Sequence, residues 1–388
     1  MRADGSRRPR PPRLDRPLRG RPPSAPALGV AAEWYAPRGM KSVFDTLAAM
    51  GHEQVLFCAD EPAGYRAIIA IHSTALGPAL GGTRLLGYAS DEEALVDALR
   101  LSRGMTHKNA LAGMDVGGGK AVVLRGGAGP LDRERLFRAH GRFIERLGGR
   151  FITGEDVGTT PADMELIRRE TRHVKGLAGE GGDPSPWTAR GVLRAIQAGA
   201  RHRWGSDELA GRTVALQGCG SVGGRLAAEL HRLGARLLVA DVDPDRARHV
   251  AAELGATIVP PNAITSAQAD IFAPCALGGV LDDRAVQELK AEIVAGAANN
   301  QLLEPRHGDA LAARGVLYIP DVVANAGGVL SGGADLFGWS RAEVHRRVQA
   351  IYDTVLRVLE IATNDGVSPQ LAAERLAEAR LRERAAAG

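Results

Sequence analysis

Cysteine is nearly absent. The 388 residues contain three, Cys58, Cys219 and Cys275, far apart and odd in number. That spacing excludes a disulfide framework and a cysteine-based zinc site, so a reducing cytoplasm is the expected location and no metal is expected. Long apolar runs are missing too. None reaches the roughly 20 residues that cross a bilayer, so no membrane association is expected. No internal repeat is visible. A surplus of basic charge is missing from the body of the chain. The net charge is +4, but residues 1–30 hold eight Arg and two Asp, which leaves the remainder at −2. Nucleic-acid binding thereby loses its electrostatic support. The head itself, around Arg7-Arg8-Pro9-Arg10-Pro11-Pro12-Arg13, has almost nothing to bury and is expected to be disordered. It also lacks the apolar core of a secretory signal. A more ordinary sequence begins at Met40, so residues 1–39 read as an extension.

What is present suits an α/β protein of two domains. The length supports two cores. Hydrophobic content is 45%, charged content is 24%, and 49 glycines fit a fold full of tight turns. The most informative stretch is 104–120, Gly-Met-Thr-His-Lys-Asn-Ala-Leu-Ala-Gly-Met-Asp-Val-Gly-Gly-Gly-Lys. Lys108 and Lys120 stand among small and apolar residues, with Asp115 the one acid. Desolvation in such a place lowers a lysine's pKa and makes it usable as a base near neutral pH. The glycines before Lys120 let the backbone turn sharply or approach a ligand. One lysine would then grip an anion and the other do proton chemistry. The bland alternative is two surface lysines in a glycine turn. His107 reads as a packing or surface residue, since neighbours on a helix point apart, and His72, in an apolar strand, as a core residue. Arg84 reads as structural or as facing another subunit.

Along the chain, Val55–Cys58 and Ala67–Ile71 read as strands joined by a turn at Asp60–Gly64. Gly77–Arg84 reads as a glycine-bearing loop. Ser90 with Glu93 forms a capping box for a helix that carries Leu95, Leu99 and Met105 toward Lys108. A short strand, Ala121–Leu124, leaves Lys120. A helix near Asp132–Leu147 and a strand at Phe151–Thr153 follow, and the strand ends in Glu155-Asp156-Val157-Gly158-Thr159. Thr160-Pro161 starts another helix. The Gly/Pro/Ser-rich stretch Gly179–Pro186 is the expected domain boundary. This gives one domain over residues 40–183, a second over 184–349, and C-terminal helices from about 350 to 388 that rejoin the first. In the second, helix Ala189–Arg203, strand Thr213–Gln217, helix Val222–Leu233, strand Leu237–Asp241 and helix Pro244–Leu254 alternate with short connections. That alternation predicts a parallel sheet covered by helices. Further strands fit Asp270–Phe272, Ile293–Ala295 and Val316–Ile319, and Ser340 caps a long helix to about Asn364.

Gly218-Cys219-Gly220-Ser221-Val222-Gly223 follows an apolar strand and opens a helix. In that context the glycines predict a Rossmann dinucleotide site. The first makes the turn, the second lets the backbone approach a pyrophosphate, and the third lets helix and strand pack. The helix N-terminus offers free N–H groups to the phosphate. Asp241, at the end of the next strand, would accept hydrogen bonds from the ribose and repel the 2′-phosphate of NADP, so NAD is the expected cofactor. Asp243 reads as a helix cap and Cys219 as a small filler without a sequence neighbour to activate it.

From about Gly51 to Arg380 the chain resembles the dehydrogenases of leucine, valine, phenylalanine and glutamate. The resemblance rests on Gly77–Arg84, Gly104–Ala110, Gly117–Lys120, Glu155–Thr159, Ala273-Pro274-Cys275-Ala276-Leu277-Gly278-Gly279, Gly296–Gln301 and Asn325–Val329, in the family's order. It implies a substrate domain joined to a Rossmann NAD domain, with the chemistry in the cleft between them, and a homo-oligomer. It implies that Lys108 binds the α-carboxylate, Lys120 is the catalytic lysine and Asp156 helps to shuttle protons. Thr188, Asn299 and Asn325 match residues near the nicotinamide and the reacting amino acid. Leu80, Gly81, Gly82, Gly154, Val329 and Gly332 match pocket positions. The implied reaction is reversible oxidative deamination to a 2-oxo acid and ammonia. A hydride leaves Cα, water adds to the imine, and a lysine of lowered pKa activates that water. Charged Lys108 would help to keep Lys120 neutral, and domain closure would exclude water.

In the glutamate enzymes a lysine stands where this chain has Leu80, so an apolar side chain is expected. Branched-chain amino acids come first. Aromatic ones are the alternative, because Gly154 and Gly332 replace larger residues and Leu336–Ser340 looks more like phenylalanine enzymes. One methylene shifts preference by only about 1–3 kcal/mol. A catalytically silent binder of NAD or amino acid on the same fold is the rival from another class.

Overall fold

The computed structural model describes residues 42–126, 130–177 and 182–387. The extension assigned to residues 1–39 and the beginning of the expected boundary, 179–181, lie outside them. The chain forms two sheets. The first is built from α1 (Val43–Met50), β1 (Gln54–Asp60), β2 (Tyr65–Ser73), β3 (Ala79–Leu86), α2 (Asp91–Leu111), β4 (Gly117–Leu124), α3 (Arg133–Glu145), β5 (Phe151–Glu155) and α4 (Pro161–Arg168). Its order is β1-β2-β4-β3-β5. β1, β2 and β4 pair antiparallel, while β4, β3 and β5 run parallel. α2 lies on one face over Ile68, Ala70 and Val122. α3 and α4 lie on the other, over Ile69, Ala121 and Val123. The alternation of strand side chains divides these residues between the two cores.

The second sheet follows α5 (Ser185–Trp204). It contains β6 (Thr213–Gln217), α6 (Ser221–Arg232), β7 (Arg236–Ala240), α7 (Pro244–Leu254), β8 (Thr257–Ile258), β9 (Ile271–Pro274), α8 (Asp283–Glu288), β10 (Ile293–Val294), α9 (Arg306–Ala313) and β11 (Leu317–Tyr318). Its order is β11-β10-β9-β6-β7-β8, parallel throughout. The order reverses between β6 and β9, which places the ligand crevice beyond the carboxyl ends of those strands. α10 (Asp321–Ala324), α11 (Gly327–Phe337), α12 (Arg341–Gln349), α13 (Ile351–Asp365) and α14 (Pro369–Ala387) close the chain. α14 packs back on α2, where Arg380 donates to the Ala110 carbonyl at 2.5 Å and pairs with Asp115 at 3.1 Å. No described helix is long and apolar enough to cross a membrane.

Three expectations are corrected. Gly77–Arg84 is not a loop, because residues 79–86 form β3 in the middle of the sheet. Gly117–Gly119 are not a turn, because they open β4. In both places glycine answers to packing, not to chain reversal. A Cβ on Gly81 would meet the Gly119 carbonyl at 1.7 Å, and one on Gly118 would meet the Thr106 nitrogen at 2.1 Å. The helix from Ser340 breaks at Ala350 into α12 and α13. The caps hold: Ser90 Oγ accepts from the Glu93 N–H at 3.1 Å, and Thr160 with Asp163 forms a full capping box.

Three histidines are buried uncharged. His140 joins Tyr65 (2.7 Å) to Thr83 (2.8 Å) inside the first core. His72 bonds Thr106 Oγ1 at 2.8 Å, and His107 sits edge-on to it, so both are packing residues as expected. Burial pulls all three down to about 3. Unfolded histidine titrates near 6.5. Between those values the unfolded chain holds more protons, so stability falls as pH falls below about 6.5, by up to about 1.4 kcal/mol per pH unit for each histidine. Urea midpoints should therefore be clearly lower at pH 5 than at pH 7.5. Equal midpoints would rule out uncharged burial.

Candidate active site

A cavity of about 590 Å³ opens between the two sheets. Its floor is the α2-facing side of the first sheet, at β3, β4 and β5. Its other wall is α11 and the loops at the carboxyl ends of β10 and β11. Lys120 stands on β4, only 5% exposed, and its Nζ lies 3.1 Å from Asp156 Oδ1. The second oxygen of Asp156 accepts from Arg84 Nε at 2.9 Å. Arg84 continues to Asp97 at 2.8 Å, and Asp97 accepts from the Tyr88 hydroxyl at 2.7 Å. A fixed chain of charges thus runs from the cavity into the protein.

Burial holds Lys120 below the ordinary lysine range, against the pull of Asp156. Arg84 is a like-charge neighbour that helps, and Lys108 and Lys120 also repel each other. Burial alone would raise Asp156, but Lys120 and Arg84 outweigh it and keep the carboxyl ionised. The pair therefore combines a lysine ready to lose its proton with a carboxylate placed to handle it.

Lys108 reaches across from α2. Its Nζ donates to Asn299 Oδ1 at 2.8 Å, and Asn325 Nδ2 donates to the same oxygen at 2.8 Å. Burial brings Lys108 down to about 8, opposed by Asp321 and assisted by Lys120. Asp321, after β11, accepts from the Asn300 N–H at 2.8 Å. Leu80, Gly81, Gly82, Gly154, Val329 and Gly332 line the same cavity. Thr188 lies against α11, where a Cβ on Gly328 would meet its Oγ1 at 2.8 Å, and its hydroxyl donates to Pro184 O at 3.1 Å. Asp115 stays at the surface with Arg380.

The residues expected to hold a dinucleotide form a second cluster around the Gly218–Gly223 turn. Gly218 has φ of +97°, which glycine takes freely, and a Cβ on Gly223 would meet the Gly218 carbonyl at 1.9 Å. A Cβ on Gly220 would meet only the tip of Arg246, at 4.0 Å. The middle glycine therefore leaves the open cradle that a pyrophosphate needs at the start of α6, before Ser221 and Val222. Asp241 accepts from the Cys219 N–H at 2.6 Å and from the Asp243 N–H at 2.8 Å. Burial pushes the Cys219 thiol up to about 11, which suits a filler. Asp243 caps α7.

Sequence reasoning missed Arg84, Asp97, Asp321 and Lys175 in this neighbourhood. Only Asp321 left a signal, as an acid just past a parallel strand. Arg84 and Lys175 depend on strand register, and Asp97 on how α2 lies over the sheet.

Residues 52–173 match the family description Glu/Leu/Phe/Val dehydrogenase, dimerisation domain, and residues 245–387 match Glutamate/Leucine/Phenylalanine/Valine dehydrogenase. A leucine dehydrogenase of Geobacillus stearothermophilus is 49% identical over 342 residues, 87% of this chain and 93% of that one. The chain belongs to the Glu/Leu/Phe/Val dehydrogenase family. It is therefore an amino-acid dehydrogenase, an oxidoreductase. Within the family, a phenylalanine dehydrogenase of Caldalkalibacillus thermarum is 45% identical, over 86% of this chain and 92% of its own. The crystal structure of L-tryptophan dehydrogenase from Nostoc punctiforme superposes with a TM-score of 0.79 at 47% identity, covering 88% of this chain and 99% of that one. Dehydrogenases of aliphatic and aromatic amino acids thus stand at similar distances, and family membership alone leaves the side chain open.

Proposed function

We propose that this dehydrogenase catalyses reversible, NAD-dependent oxidative deamination of an L-amino acid with a large apolar side chain. The observation that carries the reading is the Lys120–Asp156 pair, 3.1 Å apart and buried over a floor of glycine. Lys108 holds the α-carboxylate. Uncharged Lys120 takes a proton from the water that adds at Cα, and Asp156 passes protons to and from the departing ammonia. Asn299 positions Lys108 by its 2.8 Å contact and, with Asn325, keeps the cofactor wall in register. NAD is held by Gly218–Gly223 and Asp241, with Thr188 and Asn325 near the ring, and when bound it accepts the hydride of Cα. Leu80 and the leucine relatives support branched-chain substrates. The size of the cavity supports aromatic ones: a Cβ on Gly332 would meet nothing within 4 Å, and one on Gly154 only a carbonyl at 3.6 Å. The reading favours the larger side chains. A homo-oligomer is supported by the dimerisation-domain match and by Phe57, 61% exposed on edge strand β1.

The test is amination. NADH should be consumed with ammonium and either 4-methyl-2-oxopentanoate or phenylpyruvate, and far more slowly with 2-oxoglutarate. No consumption with any oxo acid would sink the reading in favour of a silent binder. Cofactor choice is separable. Asp241→Asn keeps an acceptor and removes the charge, so the preference for NAD over NADP should narrow about tenfold, near 1.4 kcal/mol. An unchanged ratio would remove Asp241 from cofactor selection.

A further inference from the structure

Lysine is rare in this chain. Lys41, Lys108, Lys120, Lys175 and Lys290 are the five among 49 basic residues, the rest being arginine. Three of the five line the active-site cavity between the sheets, and the third, Lys175, has no part in the reaction derived above.

Its position follows from strand register. Gly82 pairs with Gly154. Thr83 pairs with Ala121, so Gly82 lies opposite Lys120. Thr153 pairs with Val174, and the Lys175 N–H donates to the Thr153 carbonyl at 2.8 Å, so Lys175 lies beside Gly154. Lys120, Gly82, Gly154 and Lys175 therefore form one row across four adjacent chain segments. Residues of one row share a face. The rows on either side confirm the parity, since Ala121 in one and Val174 in the other both belong to the opposite core with Phe137. The cavity floor is thus a trough, with a lysine at each end and two glycines between.

Three inter-strand spacings of about 4.8 Å make the trough roughly 14 Å from Lys120 to Lys175. A substrate Cα must sit one contact, roughly 4 Å, from the Lys120 head. Bond lengths carry a leucine side chain roughly 4 Å further and a para-hydroxyphenyl side chain roughly 6–7 Å. The first stops over the glycines. The second reaches past them toward the Lys175 end of the trough. The Lys175 side chain rises to the last turn of α11, where Nζ donates to the Asp335 carbonyl at 3.1 Å. Among the described residues it forms no ion pair, so an ammonium with three donors has one partner. Asp335 lines the cavity beside it, and its carboxylate can accept a hydrogen bond from a substrate hydroxyl.

We propose that Lys175 is a specificity-determining residue that binds the far end of the substrate side chain, and that the preferred substrate is an aryl amino acid carrying a neutral hydrogen-bonding group opposite its attachment point. This rests on the deamination reading for the placement of Cα. A site built to bond a substrate hydroxyl discriminates strongly against the analogue that lacks it.

The probes are L-tyrosine and L-phenylalanine. In the wild-type enzyme kcat/KM should favour tyrosine at least tenfold. Lys175→Met should bring that ratio to about one, with the loss carried by KM for tyrosine. Lys175→Gln, which keeps a neutral donor, should retain part of the ratio. A wild-type ratio at or below one overturns the proposal, and so does a ratio that Lys175→Met leaves unchanged. If no amino acid is oxidised, the deamination reading fails by itself. Calorimetry on the NADH-loaded protein then decides for Lys175, with tighter binding of 4-hydroxyphenylpyruvate than of phenylpyruvate expected and equal binding contrary to it.

Discussion

Lys120→Met is expected to lower kcat at least a thousandfold while leaving NADH binding intact. General base catalysis contributes about 10²–10⁴ in rate. Here Asp156 is a poor substitute, because Arg84 beside it holds its carboxyl below the usual range and leaves it a weak base. Methionine matches the length of the lysine stem, and the strand pairing of Lys120 with Ala70 does not involve the ammonium. Removing that ammonium from its 5%-exposed site also leaves Asp156 with a cationic partner, so the fold should survive. The loss should therefore appear in kcat with little change in KM, the mark of a group that acts in the reacting complex. Titration of NADH by fluorescence, unchanged from the wild type, would show that the cofactor wall is undisturbed. Turnover within a few-fold of normal would remove Lys120 from the chemistry.

Asp156→Asn should cost turnover about a hundredfold or more, and it should also move the pH profile in a fixed direction. Burial and Arg84 lower the Lys120 pKa, and the Asp156 charge opposes them. Taking that charge away lets the pKa fall further. Lys120 acts uncharged, so activity rises as pH rises through its pKa, and the acid limb of kcat/KM must shift to lower pH in the variant even as the plateau drops. Arg84 keeps Asp97 at 2.8 Å, which limits the structural damage. A lower plateau with an unmoved limb would make Asp156 a structural group only.

The Rossmann half was legible almost residue by residue, because its signals are local. The strand Thr213–Gln217 and the helix Pro244–Leu254 stand where periodicity and the proline at a helix start put them. The first sheet was harder. Gly77–Arg84 carries every mark of a loop, and only the 1.7 Å conflict at Gly81 shows that its glycines exist to let strands and α2 close up. Lys108, Lys120 and Asp156 could be named from motifs. That Asp156 reaches Lys120 follows from β3 lying between β4 and β5, which no spacing along the chain reveals. The same holds for Arg84, left open between a structural and a subunit role and found bonded to Asp156. It holds equally for Lys175, which enters the cavity only through a register beyond the edge of β5. The repulsion between Lys108 and Lys120 was legible from the motif, but the second cation beside Lys120, Arg84, is brought there by proximity across strands.

The most direct measurement is the initial rate of NAD reduction at alkaline pH with L-leucine, L-phenylalanine, L-tyrosine and L-glutamate as separate substrates. The account predicts that the first three reduce NAD, with the aromatic pair ahead, and that glutamate does so poorly because Leu80 offers its carboxylate no partner. Glutamate in the lead, or no reduction with any of the four, would contradict it.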